Sequence, residues 1–561
     1  MTAIERPDGA GASPGARYWH RSLHDYAAMT ARAPGGREGG AGEPARFTRF
    51  GGLPRHPLPA PARTLGPVAS AFAPAYPEDA PARPAPAGPV PTAVADAAFH
   101  SALLHYACGV LRTEFGPTAR WPYHRPTPSA RCFAPVEAYL WTPGHEGLPA
   151  GVHAYDPAHH SLVLLRPGDH RAVLGRALGA DLDGAIGVLM LSTVFWRTAF
   201  RYGSYAYRLC AQETGLVAGN AMMVANALGA QAHLHHQFLD GVLERLVGIP
   251  RPQESLAAVL PLYPRRGDAH RSVRRGGAAD TEGALSALIG RPAARPAPGA
   301  DGLGSLDALT GIDAAARLDD TRSFSLLPVG PVAGRGRAGA VRAAELADCL
   351  RRRSSGSPAF NPVARPVPLE SVLRVLGPVL GPWAGDAVPD GCVPPVTAHL
   401  WAVNVDGLAD GVYRWAADGL HHVGPGGSSR LGTEAANIDY RAVAGVVFLS
   451  APRADAQAAF GDRGFRVLHQ EAGVVAQRVC VLSAAEGLAA RIHNGYAART
   501  LSRALRLPPG HEPLFQIALG VPGPDERYLM PVLPAPTPAR VRGLSDGHGG
   551  GAPAGNEVHA A

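Results

Sequence analysis

The apolar and polar positions of this chain follow the same order in two separate stretches. Residues 136–141 carry apolar side chains at the spacing of a strand, a Gly-Leu-x-x-Gly-Val segment leads into a second strand, and residues 187–192 form a continuous apolar run typical of a buried strand. Small and apolar residues at about 213–228 leave little polar face, which predicts a long buried helix. The same elements recur at 396–401, 445–450 and about 471–488.

The recurrence is visible in the residues themselves. Pro135–Trp141 (PVEAYLW) matches Pro395–Trp401 (PVTAHLW) at an offset of 260, and the Gln-Glu-x-Gly-x-Val-Ala segment at Gln212 matches the one at Gln470 at an offset of 258. This predicts a tandem duplication of one fold and not a solenoid, whose period is only ~20–50 residues. Two copies in one chain predict a pseudo-twofold association, an intramolecular homodimer in which the two long helices pack on each other.

Segments rich in Pro, Gly and Ala set the predicted domain bounds. We predict an α+β fold of two units, each with a mostly antiparallel sheet flanked by helices. The predicted divisions are an N-terminal arm at 1–95, a first unit at 96–265, a linker at 266–340, a second unit at 341–535 and a flexible tail at 536–561.

The amino-acid composition excludes several classes of enzyme and binding site. All 53 basic residues are arginine, and the absence of lysine excludes Schiff-base and pyridoxal-phosphate enzymes and Walker-type phosphate loops. The formal net charge of +7 favours anionic ligands, but only Arg351–Arg353 forms a dense run, so we expect no nucleic-acid binding. The six cysteines lack the spacing of a zinc site and are typical of free thiols in a reducing cytosol.

The distribution of apolar residues also predicts where in the cell the protein is found. The longest apolar stretch, 184–195, is shorter than the ~20 residues that cross a bilayer, so no membrane segment is expected. The first residues include Glu5 and Asp8 and contain no apolar run of the kind found in signal peptides. We therefore expect a cytoplasmic protein.

Several motifs of the first copy resemble a known family. Arg125–Ala130 (RPTPSA), 135–140 (PVEAYL) and 147–157 (GLPAGVHAYDP) resemble the SagB/McbC-type azoline dehydrogenases of the nitroreductase superfamily, and 200–208 (FRYGSYAYR) is similar to their Lys-Tyr-Gly-x-x-Gly-Tyr-Arg signature. These are FMN-dependent enzymes of thiazole- and oxazole-modified peptide biosynthesis. The resemblance spans both copies, something over half of the chain, and implies two nitroreductase-like units with FMN at their interface.

The resemblance also implies which copy supplies each part of an FMN site. An Arg-Arg-Ser sequence at a helix start, which in the family holds the phosphate, occurs in the second copy only, and the Pro-Ser turn that abuts the flavin ring occurs in the first copy only. We therefore predict one composite site from copies that have decayed in complementary ways. The implied contacts are Arg352, Arg353, Ser354, Pro128, Ser129, Ala130, Asn494, Gly495 and Arg527. The alternatives are a solvated charge run before a Ser N-cap, a simple turn at Asn494, and a surface charge at Arg527.

The resemblance implies a catalytic pair as well. In the family a Lys-Tyr pair is associated with proton transfer, and Arg201 stands here in the lysine position. A guanidinium, with a pKa above about 12, cannot act as a base near neutrality. Tyr202, with its acidity enhanced by Arg201, is therefore the predicted base. The alternative is that both are ordinary residues at the end of a strand.

Two other groups of residues are weaker candidates for chemistry. His233, His235 and His236 could ligate a metal, but Asp240 is the one carboxylate close to them in sequence, and we predict no metal site. Cys132, just after the Pro-Ser turn, could be a nucleophile, although a buried thiol is favoured.

The predicted function is FMN-dependent oxidation of azoline rings to azoles in a ribosomally made peptide, with oxygen as the final acceptor. The precursor peptide would be the substrate, and a cyclodehydratase or another peptide-modifying enzyme is the expected partner.

One alternative is a flavin oxidoreductase of another small molecule, such as a nitro compound or quinone, using NAD(P)H. The other is an inert scaffold subunit, favoured by Arg201 and by Gly356, which replaces a third basic residue. Tyr18-Trp19-His20 and Tyr26 are candidates for contacting a partner or leader peptide.

Overall fold

The computed structural model describes most of both predicted units and parts of the segments around them. The predicted flexible tail at 536–561 and the candidate contact Arg527 lie outside the described residues. The described residues are 12–31, 43–72, 95–116, 119, 122–265, 279–291, 303–328, 341–356, 359–390, 392–431, 437–523 and 528–534.

Helices flank two sheets. They are α1 (Pro14–His24), α2 (Tyr26–Thr30), α3 (Val68–Ala71), α4 (Ala97–Cys108), α5 (Arg171–Leu178), α6 (Trp196–Tyr202), α7 (Ala206–Ala227), α8 (Asp240–Val247), α9 (Glu282–Ile289), α10 (Asp307–Ala315), α11 (Leu346–Arg352), α12 (Leu369–Leu376), α13 (Arg453–Phe460), α14 (Gly464–Ala485) and α15 (Ala498–Ala504).

The strands fall into two series. The first comprises β1 (Arg55–Pro57), β2 (Arg112–Phe115), β3 (Tyr123–His124), β4 (Val136–Thr142), β5 (Gly151–Asp156), β6 (Ser161–Pro167), β7 (Gly187–Val194), β8 (Ala230–Ala232) and β9 (Glu254–Pro264). The second comprises β10 (Val367–Pro368), β11 (Thr397–Ala402), β12 (Val405–Asp406), β13 (Gly411–Ala416), β14 (Gly419–Pro425), β15 (Gly445–Pro452), β16 (Ala489–His493), β17 (His511–Gly520) and β18 (Tyr528–Pro531).

The two main sheets have the same topology. The strand order is β1-β6-β5-β4-β7-β9-β8 in the first and β14-β13-β11-β15-β17-β16 in the second. Apart from the added edge strand β1, each strand of one sheet has its counterpart at the same place in the other, and the pairs within both sheets are antiparallel. The predicted duplication and α+β fold are confirmed. In addition, β18 pairs with β2, so the end of the described chain contacts the first unit.

The long helices of the two units, α7 and α14, pack directly on each other, as predicted. A Cβ atom on Gly215 would lie 2.2 Å from the carbonyl oxygen of Gln470, and one on Gly473 would lie 2.6 Å from that of Gln212. The glycine of the repeated Gln-Glu-x-Gly segment therefore lets the two backbones approach closely.

Both long helices begin seven residues earlier than the sequence indicated. Their starts are set by Gly203 and Gly461, which have φ angles of 55° and 56° and end the preceding helices α6 and α13. Positive φ at these glycines interrupts the helical path, and the chain then turns into α7 and α14.

The predicted N-terminal arm is more ordered than its composition indicates. Tyr18 and Trp19 of α1 are 2% and 0% exposed, and the rings of both lie edge-on to Phe465 of α14 at 5.0 Å. Their proposed contact with a partner is therefore wrong, because their surface is already buried within the chain. The predicted linker likewise contributes α10, whose Leu309 and Ile312 are buried. A few apolar residues at helical spacing suffice to anchor these segments.

No helix among the described residues combines the length and the apolar character needed to cross a membrane.

Candidate functional site

A cavity of about 960 Å³ lies between the two units. Its walls come from residues 123–134 and from α6 and α7 of the first unit, from 353–356 and 491–499 of the second unit, and from the N-terminal helices α1 and α2. Eight of the predicted site residues line this one cavity: Pro128, Ser129, Ala130, Tyr202, Arg353, Ser354, Asn494 and Gly495.

Arg352 and Arg201 do not line the cavity. Both side chains are exposed, and Arg352 Nε donates to the carbonyl of Asp348 in its own helix. The next residue in each case, Arg353 and Tyr202, does line the cavity. The two members of each adjacent pair therefore lie in different environments.

The local structure around Arg352–Ser354 differs from the prediction. Helix α11 begins at Leu346, where the Glu345 side chain accepts from Asp348 N, and it ends at Arg352. The Arg-Arg-Ser sequence is thus at the end of a helix and not at its start, and the expected free amides of a helix N-terminus are absent from it. Cations at a helix C-terminus are favoured by the partial negative charge of the last carbonyls.

Arg353 is nevertheless in an unusual environment for a cation. It is 5% exposed, and its guanidinium donates to the carbonyl of Pro126 (2.8 Å), to Ser355 Oγ (3.2 Å) and to the carbonyl of Arg125 (3.5 Å). None of its partners in the described part of the chain is a carboxylate, and burial lowers its pKa. A buried cation held only by neutral groups is suited to bind an anion such as a phosphate.

The cavity wall also holds buried polar atoms without protein partners. Arg125 Nη1 donates to the carbonyl of Val136 (2.9 Å), whereas its Nη2 and the hydroxyl of Thr127 have no hydrogen-bond partner in the described structure. Such atoms are costly unless a ligand or water satisfies them. The residues present therefore fit an anionic, polar ligand such as FMN. The arginines lining the cavity are Arg112, Arg125, Arg131, Arg353, Arg491 and Arg499.

The Pro-Ser turn lies in a strained stretch of backbone. Ser129 Oγ accepts from Ala134 N at 2.9 Å, and Arg131, Cys132 and Ala134 have φ angles of 51°, 53° and 47°. Left-handed conformations cost non-glycine residues energy and cluster at functional sites. Cys132 itself is half-buried and lines the cavity, so the expectation of a buried thiol is wrong.

Tyr202 is the last residue of helix α6, so the alternative that it ends a strand is wrong. Gly203, with its positive φ, stops the helix immediately after it. The Tyr202 side chain is half-buried and lines the cavity.

Helix α7 contributes a wall that the sequence reasoning missed. Leu209, Gln212, Glu213 and Leu216 line the cavity at the i, i+3, i+4 and i+7 spacing of one helix face. Burial raises the pKa of Glu213 to about 7, although the Ser129 hydroxyl and the charge of Arg125 oppose this. The signal was present in the sequence, since Gln-Glu recurs in both copies, but it served only as evidence of duplication.

The residue equivalent to Glu213 in the second unit is Glu471, which contacts His236, one of the three histidines at 233–236. His236 Nδ1 lies 2.7 Å from Gln470 Oε1, and its Nε2 lies 2.8 Å from Glu471 Oε1. The carboxylate of Asp386 accepts from the backbone amides of His236 and Gln237. In the part of the chain that the structure describes, no group of three or more His, Cys, Asp or Glu residues is placed to hold a metal ion.

Comparison with known proteins places the fold. No family model matches this chain. A curated protein, the putative nitroreductase of Methanocaldococcus jannaschii, is 29% identical over 124 residues, which are 22% of this chain and 63% of the relative. The chain thus spans less than two thirds of that relative's length.

Solved structures extend the comparison to both units. A putative nitroreductase from Anabaena variabilis aligns with 91% of this chain and 100% of its own length, at 20% identity and a TM-score of 0.66. The E. coli microcin synthetase McbBCD complex with truncated pro-MccB17 bound aligns with 33% of this chain and 77% of the solved chain, at 19% identity and a TM-score of 0.26. The Anabaena variabilis alignment covers 91% of this chain, which is more than either unit alone contains, and this chain therefore has the nitroreductase fold, with two units in one polypeptide.

Proposed function

We propose that this chain is an FMN-dependent oxidoreductase that dehydrogenates azoline rings to azoles in a ribosomally made peptide. The observation that carries the proposal is the cavity between the units, where Arg353, a buried cation without a carboxylate partner in the described structure, lies beside the Pro-Ser turn. The volume of about 960 Å³ is at the upper end of the ~300–1,000 Å³ usual for small-molecule sites.

The residues of the cavity have distinct roles in this proposal. Arg353 and the unsatisfied Nη2 of Arg125 would hold the anionic part of FMN, and Pro128 with Ser129 would lie against its ring. When bound, FMN supplies the acceptor of the hydride that leaves the substrate. Tyr202, at the cavity wall, would take part in the proton transfer that accompanies the loss of hydride.

The substrate class is supported by the motifs of the first copy and not by the geometry of the cavity. The Arg125–Ala130 and 200–208 segments resemble azoline dehydrogenases, and both contribute residues to the cavity wall. A precursor peptide as substrate, a cyclodehydratase as partner and a cytoplasmic location follow from the same resemblance and belong to the proposal.

The experiment that tests this function starts with the absorbance spectrum of the purified protein. Bound chromophore is released, identified and counted per chain, and the loaded protein is then incubated aerobically with an azoline-containing peptide whose loss of two hydrogens is followed by mass spectrometry. About one FMN per chain together with azole formation is the expected result. Two FMN per chain would contradict the single composite site.

The alternatives have different signatures in the same experiment. FMN binding with NAD(P)H-dependent reduction of nitro compounds or quinones, and no azole formation, would favour the other flavin oxidoreductase. No flavin even after reconstitution with excess FMN would favour the scaffold.

A further inference from the structure

Glu213 is the one carboxylate among the described residues that line the cavity. It lies on the face of α7 between Leu209 and Leu216, beside Gln212, and is only 5% exposed. A buried carboxyl group in a ligand cavity needs an explanation, because it is costly when charged.

The surroundings of Glu213 do not neutralise it as they do other buried carboxylates. Glu137 forms an ion pair with Arg197 at 2.5 Å, and Glu471 pairs with His236 at 2.8 Å. No basic nitrogen of the described residues lies within ion-pair distance of Glu213. The groups that face it are the Ser129 hydroxyl, the more distant charges of Arg125 and Arg197, and the thiol of Cys210.

The comparison with Glu471 is informative because the two residues occupy equivalent positions of the duplicated helix. His236, on a loop of the first unit, satisfies Glu471. The residue that corresponds to His236 in the second unit is Asn494, which carries no charge and contacts Gln212. Of the two equivalent carboxyl groups, that of Glu471 therefore forms a buried ion pair, whereas that of Glu213 faces a cavity able to hold a ligand.

We propose that the Glu213 carboxylate is the final acceptor of the proton that the substrate loses, with Tyr202 on the wall of the same cavity handing it on, an inference that rests on the proposed function. In azoline oxidation, one hydrogen leaves the ring with its electron pair as a hydride to the bound flavin. The other leaves as a proton that ends on Glu213, and the electrons of its C–H bond form the new double bond of the ring. A pKa near 7 leaves an ionised fraction that can act as a base at neutral pH.

The kinetic test compares Glu213→Gln with the wild type after loading with FMN. In anaerobic single turnover with an azoline peptide, we expect the rate of flavin reduction to fall by at least ~10²-fold, as for removal of a general base. The dependence of the rate on an ionisation near pH 7 should disappear, while the Kd of FMN should change by less than about threefold. Glu512→Gln is the matched control, because burial also raises the pKa of Glu512 but its side chain does not line the cavity.

A second readout does not depend on turnover. Binding of FMN to the apoprotein in weakly buffered solution near pH 7 should be accompanied by proton exchange, measured with a pH indicator, because a ligand over Glu213 changes its solvation. The phosphate of FMN also exchanges a proton, because its second pKa is about 6. The number of protons exchanged should therefore differ between Glu213→Gln and the wild type and be the same in Glu512→Gln.

The outcomes separate the inference from the function. If Glu213→Gln retains the wild-type rate and pH profile, or exchanges the same number of protons as the wild type on binding FMN, Glu213 is not the acceptor. If the wild type binds FMN but does not oxidise azolines, the proposed function is wrong. In that case, unchanged proton exchange in Glu213→Gln would still show that Glu213 does not titrate in contact with the bound ligand. Glu213→Asp, which keeps the carboxyl group, replaces Glu213→Gln if that variant does not fold, and a shifted pH profile is then expected.

Discussion

Gln212 and Asn494 exchange two hydrogen bonds across the boundary between the units. Asn494 Nδ2 donates to Gln212 Oε1 at 2.7 Å, and Gln212 Nε2 donates to Asn494 Oδ1 at 3.2 Å. At the equivalent place in the other unit, Gln470 contacts His236 at 2.7 Å. The duplication has kept the glutamine and changed its partner, and this single difference places neutral amides beside the cavity on one side and a buried His–Glu pair on the other.

Arg353 should contribute far more to FMN binding than its neighbour in sequence. Arg353→Ala removes the buried cation of the cavity and should weaken FMN binding by at least ~10-fold, equivalent to about 1.4 kcal/mol. The control Arg352→Ala removes an exposed side chain and should change the Kd by less than about twofold. Quenching of flavin fluorescence measures both, and equal effects would contradict the placement of the two residues.

Tyr202 should affect turnover more than cofactor affinity. Tyr202→Phe keeps the ring and removes the hydroxyl, so the rate of azoline oxidation should fall by ~10²-fold with FMN still bound. The matched control is Tyr263→Phe, whose hydroxyl donates to the carbonyl of Asp181 away from the cavity. A Tyr202→Phe variant with normal turnover would rule out proton transfer by this phenol.

The contact between α7 and α14 should not tolerate a methyl group. Gly215→Ala places a Cβ 2.2 Å from the Gln470 carbonyl oxygen, and the resulting shift should lower the free energy of unfolding by about 1–3 kcal/mol. Gly311→Ala in α10 meets no atom within 4 Å and should raise it by up to ~1 kcal/mol through helix propensity. Urea denaturation of both variants tests the prediction, which fails if Gly215→Ala is neutral.

Glu213 should make the stability of the protein depend on pH. Its pKa, raised from 4.5 to about 7 in the folded state, means that the folded protein binds this proton more tightly than the unfolded chain. The stabilising contribution is complete below pH 4.5 and is lost as the pH rises through 7. Relative to Glu213→Gln, the wild type should therefore lose about 3 kcal/mol between pH 4.5 and pH 8, at ~1.4 kcal/mol per pKa unit.

The measurement is urea denaturation at several pH values, with the exposed Glu146→Gln as control. Parallel stability curves for the wild type and Glu213→Gln would show that the carboxyl group titrates normally.

The His236–Glu471 pair should show strong coupling. Burial lowers the pKa of His236, but the hydrogen bond and charge of Glu471 more than offset this and the pKa is raised. His236→Asn leaves a buried carboxylate without its partner and should cost about 3 kcal/mol of stability. The double variant His236→Asn/Glu471→Gln should recover at least ~1 kcal/mol of that loss, and additive effects in this double-mutant cycle would contradict the pairing.

The residues of the composite site show how far local sequence can lead. The family resemblance implied that Pro128-Ser129 and Arg353-Ser354 belong to one site, and the repeat showed that each pair occurs in one copy only; both pairs line one cavity. That part could be predicted from the sequence because motifs and repeats are both recognised from residue identities. The different environments of Arg352 and Arg353 could not be predicted from the sequence, because they depend on where α11 ends and on the direction of the chain after it.

The sequence by itself determined the duplication, the strands and the burial of the two long helices, since apolar spacing is local and both copies carry it. Only the tertiary structure decided that Trp19 docks against Phe465 and that Glu213 faces a cavity while Glu471 pairs with His236. These are contacts between residues far apart in the chain. The cost or benefit of burying a charge depends on such partners, and no pattern along one strand or helix contains them.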